Sequence, residues 1–434
     1  MERLGGEKRT GLFELHADAP RRADWTVFGR VPHTDRRGFL KGAGFAAMAA
    51  AVGAAMPFHR YMPAGFMPEA LAAGPVGIEG KDGLTVLGAR PLNAETPPHL
   101  LDDEVTPTVR HFIRNNGIAP KQVDAGTWRL RIDGLVHRPM DLSIEDLRRR
   151  FEVVKRRLTI ECAGNGRAFF EPRVGGNQWT LGAVACSEWT GVRLADVLKA
   201  VGVKDNVVYT AHVGADTDVS GARGELPLSR GVPIEKAMEP GNLIAFGMNG
   251  GPLHPMNGAP LRLVIPGWPG SCSQKWLTRI WLRDVVHDGA KMTGSSYRVP
   301  EYPIAPGEMV PDSSMAFIGS MPVKSLITTP GNGLSINGRS LSVAGHAWAG
   351  DNEVARVDVS TDFGASWQRA ALGRPANGYA WQRWSARLEF PGQGYYEVWA
   401  RATDDKGTSQ PFAIAWNPKG YLNNAMHRIF VRVS

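Results

Sequence analysis

From about residue 318 to 434 the apolar residues come in alternating runs too short for helices: Leu341 and Val343, Val357 and Val359, then Tyr396, Val398 and Ala400. Turn formers separate them at Asn337-Gly338, Asp362-Phe-Gly364 and Pro391-Gly-Gln-Gly394. Side chains two apart share one face of a strand, so each run has a single apolar face that a second sheet must cover. Several short strands at this spacing predict a β-sandwich of immunoglobulin type over 318–434. None of the three cysteines and no catalytic cluster falls in this stretch, which leaves an interaction role.

Residues 95–317 read differently. Trp128, Leu130 and Ile132 alternate with Arg129, Arg131 and Asp133, the pattern of a half-buried strand. Ser143-Ile-Glu-Asp146 opens a short helix as a capping box, with Ile144, Leu147 and Phe151 on one face. Leu194, Val197, Leu198 and Val201 line a second helix that Gly202 stops. Leu158-Thr-Ile160 reads as a strand running into the loop Ala163-Gly-Asn165. Strands and short helices without a regular βαβ repeat predict the α+β class. The 51 glycines and 31 prolines suit such a turn-rich chain, and 43% hydrophobic residues supply a large core. The net charge of +8 is spread along the sequence with no long basic run, which argues against nucleic-acid binding.

The first 73 residues read as an export leader. Adjacent arginines, Arg36-Arg37, precede a mild apolar run from Gly42 to Phe58, and Ala70-Leu71-Ala72 offers a small-x-small cleavage pattern. The stretch before the arginines is long for such a leader, so either the leader is extended or translation starts later. The Ala/Gly content of the run makes a permanent membrane span the weaker reading. Twin-arginine export carries folded proteins, so a periplasmic protein with a buried cofactor is expected. No C-x-x-C-H occurs, so no c-type haem is expected in this chain.

Cys162 stands where the strand gives way to the turn, five residues before Arg167. A thiolate in such a setting is both a nucleophile and a soft metal ligand, although most lone cysteines are small buried hydrophobes. Three cysteines are too few for a disulfide scaffold, and Cys186 and Cys272 read as buried thiols, with a pairing between them left open.

Several ordered motifs decide between these readings. Cys162-Ala-Gly-Asn165, Trp179-Thr-Leu-Gly-Ala183, Glu188-Trp-Thr-Gly-Val-Arg193, and Arg262-Leu-Val-Ile-Pro-Gly267 through Lys275-Trp276 resemble the sulfite oxidase family of molybdopterin enzymes. Trp348-Ala-Gly350, Trp416-Asn-Pro418 and Met426-His427-Arg428 resemble that family's dimerisation domain. Within the family, Arg114-Asn-Asn-Gly117, Gly166-Arg167 and Tyr297-Arg-Val-Pro-Glu-Tyr-Pro303 look most like the molybdenum subunit of bacterial sulfane dehydrogenase. The resemblance implies a mixed α/β molybdopterin-binding domain followed by the sandwich, molybdenum-molybdopterin as cofactor, and oxidation of a sulfur substrate by oxygen-atom transfer. It also implies a c-type cytochrome as electron acceptor, a sulfur-carrier protein as substrate donor, and a homodimer built through the C-terminal domain.

By the same resemblance Cys162 is the one protein ligand to molybdenum. Arg262 and Lys275 hold the pterin phosphate, Asp216 bonds the pterin, and Phe112, Arg114 and Asn257 line the cofactor pocket. Arg114, Arg167, Trp179 and Tyr297 handle the substrate, and Arg428 resembles a further basic residue near the chain end. Taken singly, Arg262 or Lys275 reads equally as a surface ion pair, Trp179 as a core aromatic, Arg167 as a donor to a loop carbonyl, and Asp216 as a turn former. Asn116 and Asn257 stand where animal-type sulfite oxidases carry histidines, and Gly166 where they carry an arginine. Losing that cation weakens sulfite binding and leaves room for a larger substrate, such as sulfane sulfur on a carrier protein. Direct sulfite oxidation to sulfate and a non-catalytic periplasmic binding protein stay open as alternatives.

Overall fold

The computed structural model describes residues 77–222 and 224–434 of the chain; the leader expected over 1–73 lies outside them. Among the described residues four sheets carry the N-terminal part, the smallest being the pair Arg298–Pro300 and Met315–Phe317. A three-stranded sheet (Thr85–Ala89, Leu92–Glu95, Ile113–Arg114) leads into a five-stranded one, in which Val153–Glu161 pairs with Val184–Arg193, then Leu243–Met248, flanked by Gly251–Pro252 and Arg262–Val264. A four-stranded sheet orders Met140–Leu142, Leu130–Gly134, Leu277–Arg283 and Tyr209–Gly214, with Leu130–Gly134 parallel to Leu277–Arg283.

The local signals form as expected. Ser143 caps the helix Ile144–Arg150: its hydroxyl accepts from the Asp146 N–H, and the Asp146 carboxylate accepts in return from the Ser143 N–H. Helix Leu194–Val201 buries Leu194, Val197, Leu198 and Val201, and Gly202 ends it at φ +69°. These side chains pack on Leu130, Ile132, Ile280 and Leu282 in one apolar core. The strand alternation has one exception. Asp133 is 8% exposed rather than solvent-facing, because Arg131 and Arg279 both pair with its carboxylate.

Residues 324–433 form the two facing sheets of a sandwich. One orders Lys324–Thr329, Ser340–Trp348, Gln382–Glu389 and Ala371–Leu372. The other orders Leu334–Ile336, His427–Val433, Gly394–Asp404, Val354–Ser360 and Gln368–Arg369. Val343, Val357, Val359, Val398 and Ala400 meet in its core. The structure thus has the mixed α/β part and the sandwich expected of it. Among the described residues no helix is long and apolar enough to cross a membrane.

Candidate functional site

The strand Val153–Glu161 places the site by its pleat. Successive side chains leave on opposite faces, so Thr159 and Glu161 point toward the sandwich while Ile160 and Cys162 line a pocket on the other side. The turn after the strand is fixed by its own hydrogen bonds. The Cys162 N–H donates to the Ala183 carbonyl at 2.9 Å, and the Asn165 N–H to the Cys162 carbonyl at 2.9 Å. The Asn165 amide donates to Glu161 Oε1 at 2.9 Å and accepts from the Ala183 N–H at 3.1 Å. Glu161 is itself buried and also accepts from Lys324 Nζ at 2.9 Å and Trp348 Nε1 at 2.7 Å, both from the sandwich. The cysteine-bearing turn is thereby bolted to the C-terminal half.

Eight of the ten residues singled out from the sequence line this pocket: Phe112, Arg114, Cys162, Asp216, Asn257, Arg262, Lys275 and Tyr297. Arg262 is 4% exposed, with its guanidinium donating to the carbonyls of Asn257 (2.8 Å) and Ser273 (3.1 Å) and lying over the Trp189 ring. Lys275 Nζ donates to the Met256 carbonyl at 2.8 Å and to Asn115 Oδ1. Asn257 donates to the Phe112 carbonyl (3.1 Å), and its Oδ1 accepts from Lys81 Nζ (2.5 Å).

The other two sit behind the wall. Trp179 is fully buried, edge-on to Phe112 at 6.4 Å, and its indole Nε1 has no partner. Arg167 donates to the carbonyls of Lys419 (2.9 Å) and Asn177 (3.0 Å). Its guanidinium covers the Tyr421 ring at 5.0 Å; Tyr421 stacks on Tyr297 at 5.6 Å, and Arg230 also lies over the Tyr297 ring, at 4.8 Å. Arg167 is thus not in the pocket lining and is linked to its residue Tyr297 through Tyr421. Arg428 lies on the sandwich, over Trp399 and Phe412. The room expected beside Gly166 is taken. That glycine sits at φ +94°, and a Cβ there would meet the Asn423 side chain at 2.7 Å; the Asn423 amide donates to the Gly166 carbonyl at 2.8 Å. All three cysteines are free thiols, and burial pushes Cys186 up to about 11.

The electrostatics are those of a buried cation cluster. Burial pulls Lys275 well below the lysine range, with Arg262 adding to it, while Asp216 acts in the opposite direction. Burial lowers Arg262 to about 9 and Lys81 to about 7, and raises Asp216 to about 6 against the pull of Lys275. His111, bonded through Nδ1 to Ser187 Oγ at 3.0 Å, is held well below its ordinary value by burial and then by Lys81 and Arg262. Close-set cations that burial drives toward neutrality gain most from an anionic occupant. Three buried polar atoms of the pocket residues, Asp216 Oδ1, Ser271 Oγ and Gln274 Oε1, have no hydrogen-bond partner. Buried polar groups are rarely left so, and these mark where a polar ligand would bond.

Sequence reading missed Lys81, His111, Ser271, Ser273 and Gln274. Only Ser271, Ser273 and Gln274 carried a signal, as the polar run leading into Lys275. Among the described residues no three His, Cys, Asp or Glu side chains gather as metal donors. Cys162 thus offers a metal one thiolate, and the rest of its coordination must come from a ligand. One thiolate, a buried cation cluster and unpartnered polar atoms fit a phosphate-bearing pterin that brings its own sulfur donors.

Fold and site define a molybdopterin-binding oxidoreductase. Residues 116–291 match the family described as "Oxidoreductase molybdopterin binding domain", and 315–434 match the "Mo-co oxidoreductase dimerisation domain". Mitochondrial sulfite oxidase of Homo sapiens is 34% identical over 373 residues, covering 81% of this chain, which spans 66% of that protein's length. Sulfite oxidase of Gallus gallus is 33% identical over 365 residues, covering 80% of this chain and 77% of that protein. The crystal structure of the sulfane dehydrogenase SoxCD from Paracoccus pantotrophus superposes with a TM-score of 0.68 at 28% identity, covering 88% of this chain and 97% of that one. The chain belongs to the sulfite oxidase family.

Proposed function

We propose that this chain is the molybdenum-pterin subunit of a sulfur-oxidising dehydrogenase. It is exported to the periplasm by its twin-arginine leader, paired as a homodimer through residues 318–434, and oxidised by a c-type cytochrome. The observation that carries this reading is the convergence of Cys162, Arg262 and Lys275 on one pocket with three unpartnered polar atoms. When bound, molybdenum-pterin supplies oxygen-atom transfer to sulfur and accepts two electrons. The residues supply the rest. Cys162 offers the protein thiolate. Arg262 and Lys275 pair with the phosphate, where a cation meets a dianion. Asp216, Ser271 and Gln274 bond the pterin. Arg114 and the Tyr297 hydroxyl, at the rim, orient the anionic sulfur group with fixed charge in place of water, and Tyr297 passes a proton outward.

The preferred substrate is sulfane sulfur held by a carrier protein, supported by the likeness to SoxCD. Sulfite is the second reading, and the Asn423 side chain beside Gly166 favours it because the space for a larger group is filled there. In that case sulfite and water give sulfate, two protons and two electrons, delivered one at a time to cytochrome. The test is purification from the periplasm with molybdenum and pterin analysis, then cytochrome c reduction by sulfite and by carrier-bound sulfane. About one molybdenum per chain and turnover of either substrate support the enzyme. A metal-free protein would point to a binding protein instead, and a Cys162→Ser variant with full metal and turnover would end the role of Cys162.

A further inference from the structure

Three donors converge on one amide oxygen at the pocket rim. Asn116 Oδ1 lies 2.8 Å from Arg114 Nη2, 2.9 Å from Lys291 Nζ and 3.4 Å from the Tyr297 hydroxyl. An amide oxygen has two lone pairs and no net charge, so three donors, two of them cationic, exceed what it satisfies. The hydrogen bonds of both cations go to neutral oxygens: Arg114 to Asn93, Asn115 and Asn116, Lys291 to Asn116. Among the described residues neither has a carboxylate within 4.0 Å.

The backbone holds Lys291 for this position. It sits at φ +66°, a left-handed conformation that non-glycine residues adopt chiefly where surrounding structure enforces it. Its carbonyl accepts from Arg230 Nη1 at 3.2 Å, and the same buried guanidinium underlies the Tyr297 ring. One arginine thus fixes both Lys291 and Tyr297 relative to the rim.

We infer that Lys291 is a substrate-binding residue: with Arg114 and Tyr297 it holds the anionic oxygens of a sulfur oxyanion, and Asn116 Oδ1 occupies their place until the substrate displaces it. The inference takes its reaction from the sulfur-oxidising function proposed above, but the anion site stands on geometry alone. Lys291 returns to the rim a positive charge of the kind that glycine at 166 and asparagine at 116 withhold, so the site selects charged sulfur groups over neutral sulfoxides.

The experiment uses molybdenum-loaded enzyme, with metal content measured for each variant, and two readouts: steady-state oxidation of sulfite, and calorimetric binding of sulfate. A charge-assisted hydrogen bond is worth roughly a tenfold change or more in affinity. Lys291→Met should raise the sulfite KM about tenfold or more with kcat within about threefold, and weaken sulfate by a similar factor. Lys291→Arg should stay within about threefold of the parent in both. Asn116→Ala, which removes the competing oxygen, should tighten sulfate. Unchanged KM and unchanged sulfate affinity in Lys291→Met would overturn the assignment, and weaker sulfate binding in Asn116→Ala would overturn the stand-in role of Asn116. If the parent oxidises no sulfur compound, the proposed function fails and the sulfate measurements alone decide Lys291.

Discussion

Lys324→Met should be among the most damaging single changes outside the pocket itself. Lys324 Nζ lies 2.9 Å from Glu161 Oε1, and both side chains are 4% exposed, so neither charge has water to fall back on. Removing the ammonium leaves the Glu161 carboxylate buried with only the Asn165 amide and the Trp348 indole as donors. Stripping one partner from a buried pair typically costs about 3–5 kcal/mol, more than the pair itself is worth against apolar replacements. The double variant Glu161→Gln, Lys324→Met removes both charges, and the amide still accepts from Trp348. It should recover much of the loss, giving a coupling of roughly 1–3 kcal/mol in a double-mutant cycle. Urea unfolding followed by tryptophan fluorescence reads the four stabilities of the cycle: parent, Lys324→Met, Glu161→Gln and the double variant. If Lys324→Met lies within about 1 kcal/mol of the parent, or the two single losses simply add, the pair is not the bolt described above.

Three further outcomes follow from the same geometry. Burial lowers Lys81 to about 7 from an unfolded value of 10.5, so above pH 7 the unfolded chain binds a proton that the folded chain does not. The pterin-free protein should therefore gain stability from pH 7 to 8.5, by up to about 1.4 kcal/mol per unit from this group. Lys81→Met should flatten the slope in urea titrations, and a parent that weakens over this range would contradict the reasoning. On the acid side, burial holds His212 at about 3 and His287, His346 and His427 at about 4, so stability should fall as pH drops from 6.5 toward 4; equal urea midpoints at pH 6.5 and 5 would refute this. Gly166→Ala should lower stability by about 1 kcal/mol or more through its positive φ and the Asn423 contact, and by less once Asn423→Gly clears the space; no difference between the two backgrounds would refute the steric part.

What could be read in the sequence was local, or belonged to a motif. The Ser143–Asp146 cap, the Gly202 stop and the alternating sandwich strands depend on neighbours within a few residues, and each took the form its spacing implied. The pocket residues drawn from family motifs lie together although they come from separate elements: Cys162 follows the strand Val153–Glu161, while Asp216 and Lys275 flank the paired strands Tyr209–Gly214 and Leu277–Arg283. Lys81 and Lys291 were invisible to such reading. Each owes its place to an asparagine far along the chain, Asn257 for Lys81 and Asn116 for Lys291, separated by 176 and 175 residues. The position of Arg167 behind the pocket was equally hidden, since its carbonyl partner at Lys419 is 252 residues away.

The Arg230–Tyr297–Tyr421–Arg167 stack has a consequence for how such a protein could be recombined. Its outer members and Tyr297 belong to the N-terminal half, but Tyr421 comes from the loop that follows the sandwich strand Gly394–Asp404. A chimera that grafted a foreign C-terminal half onto this N-terminal one would lose the plate that Tyr297 leans on, even with every pocket-lining side chain retained. The two halves are therefore packed as a matched pair at this point, and a substitution that shifts the loop carrying Tyr421 will be felt at Tyr297 in the pocket wall.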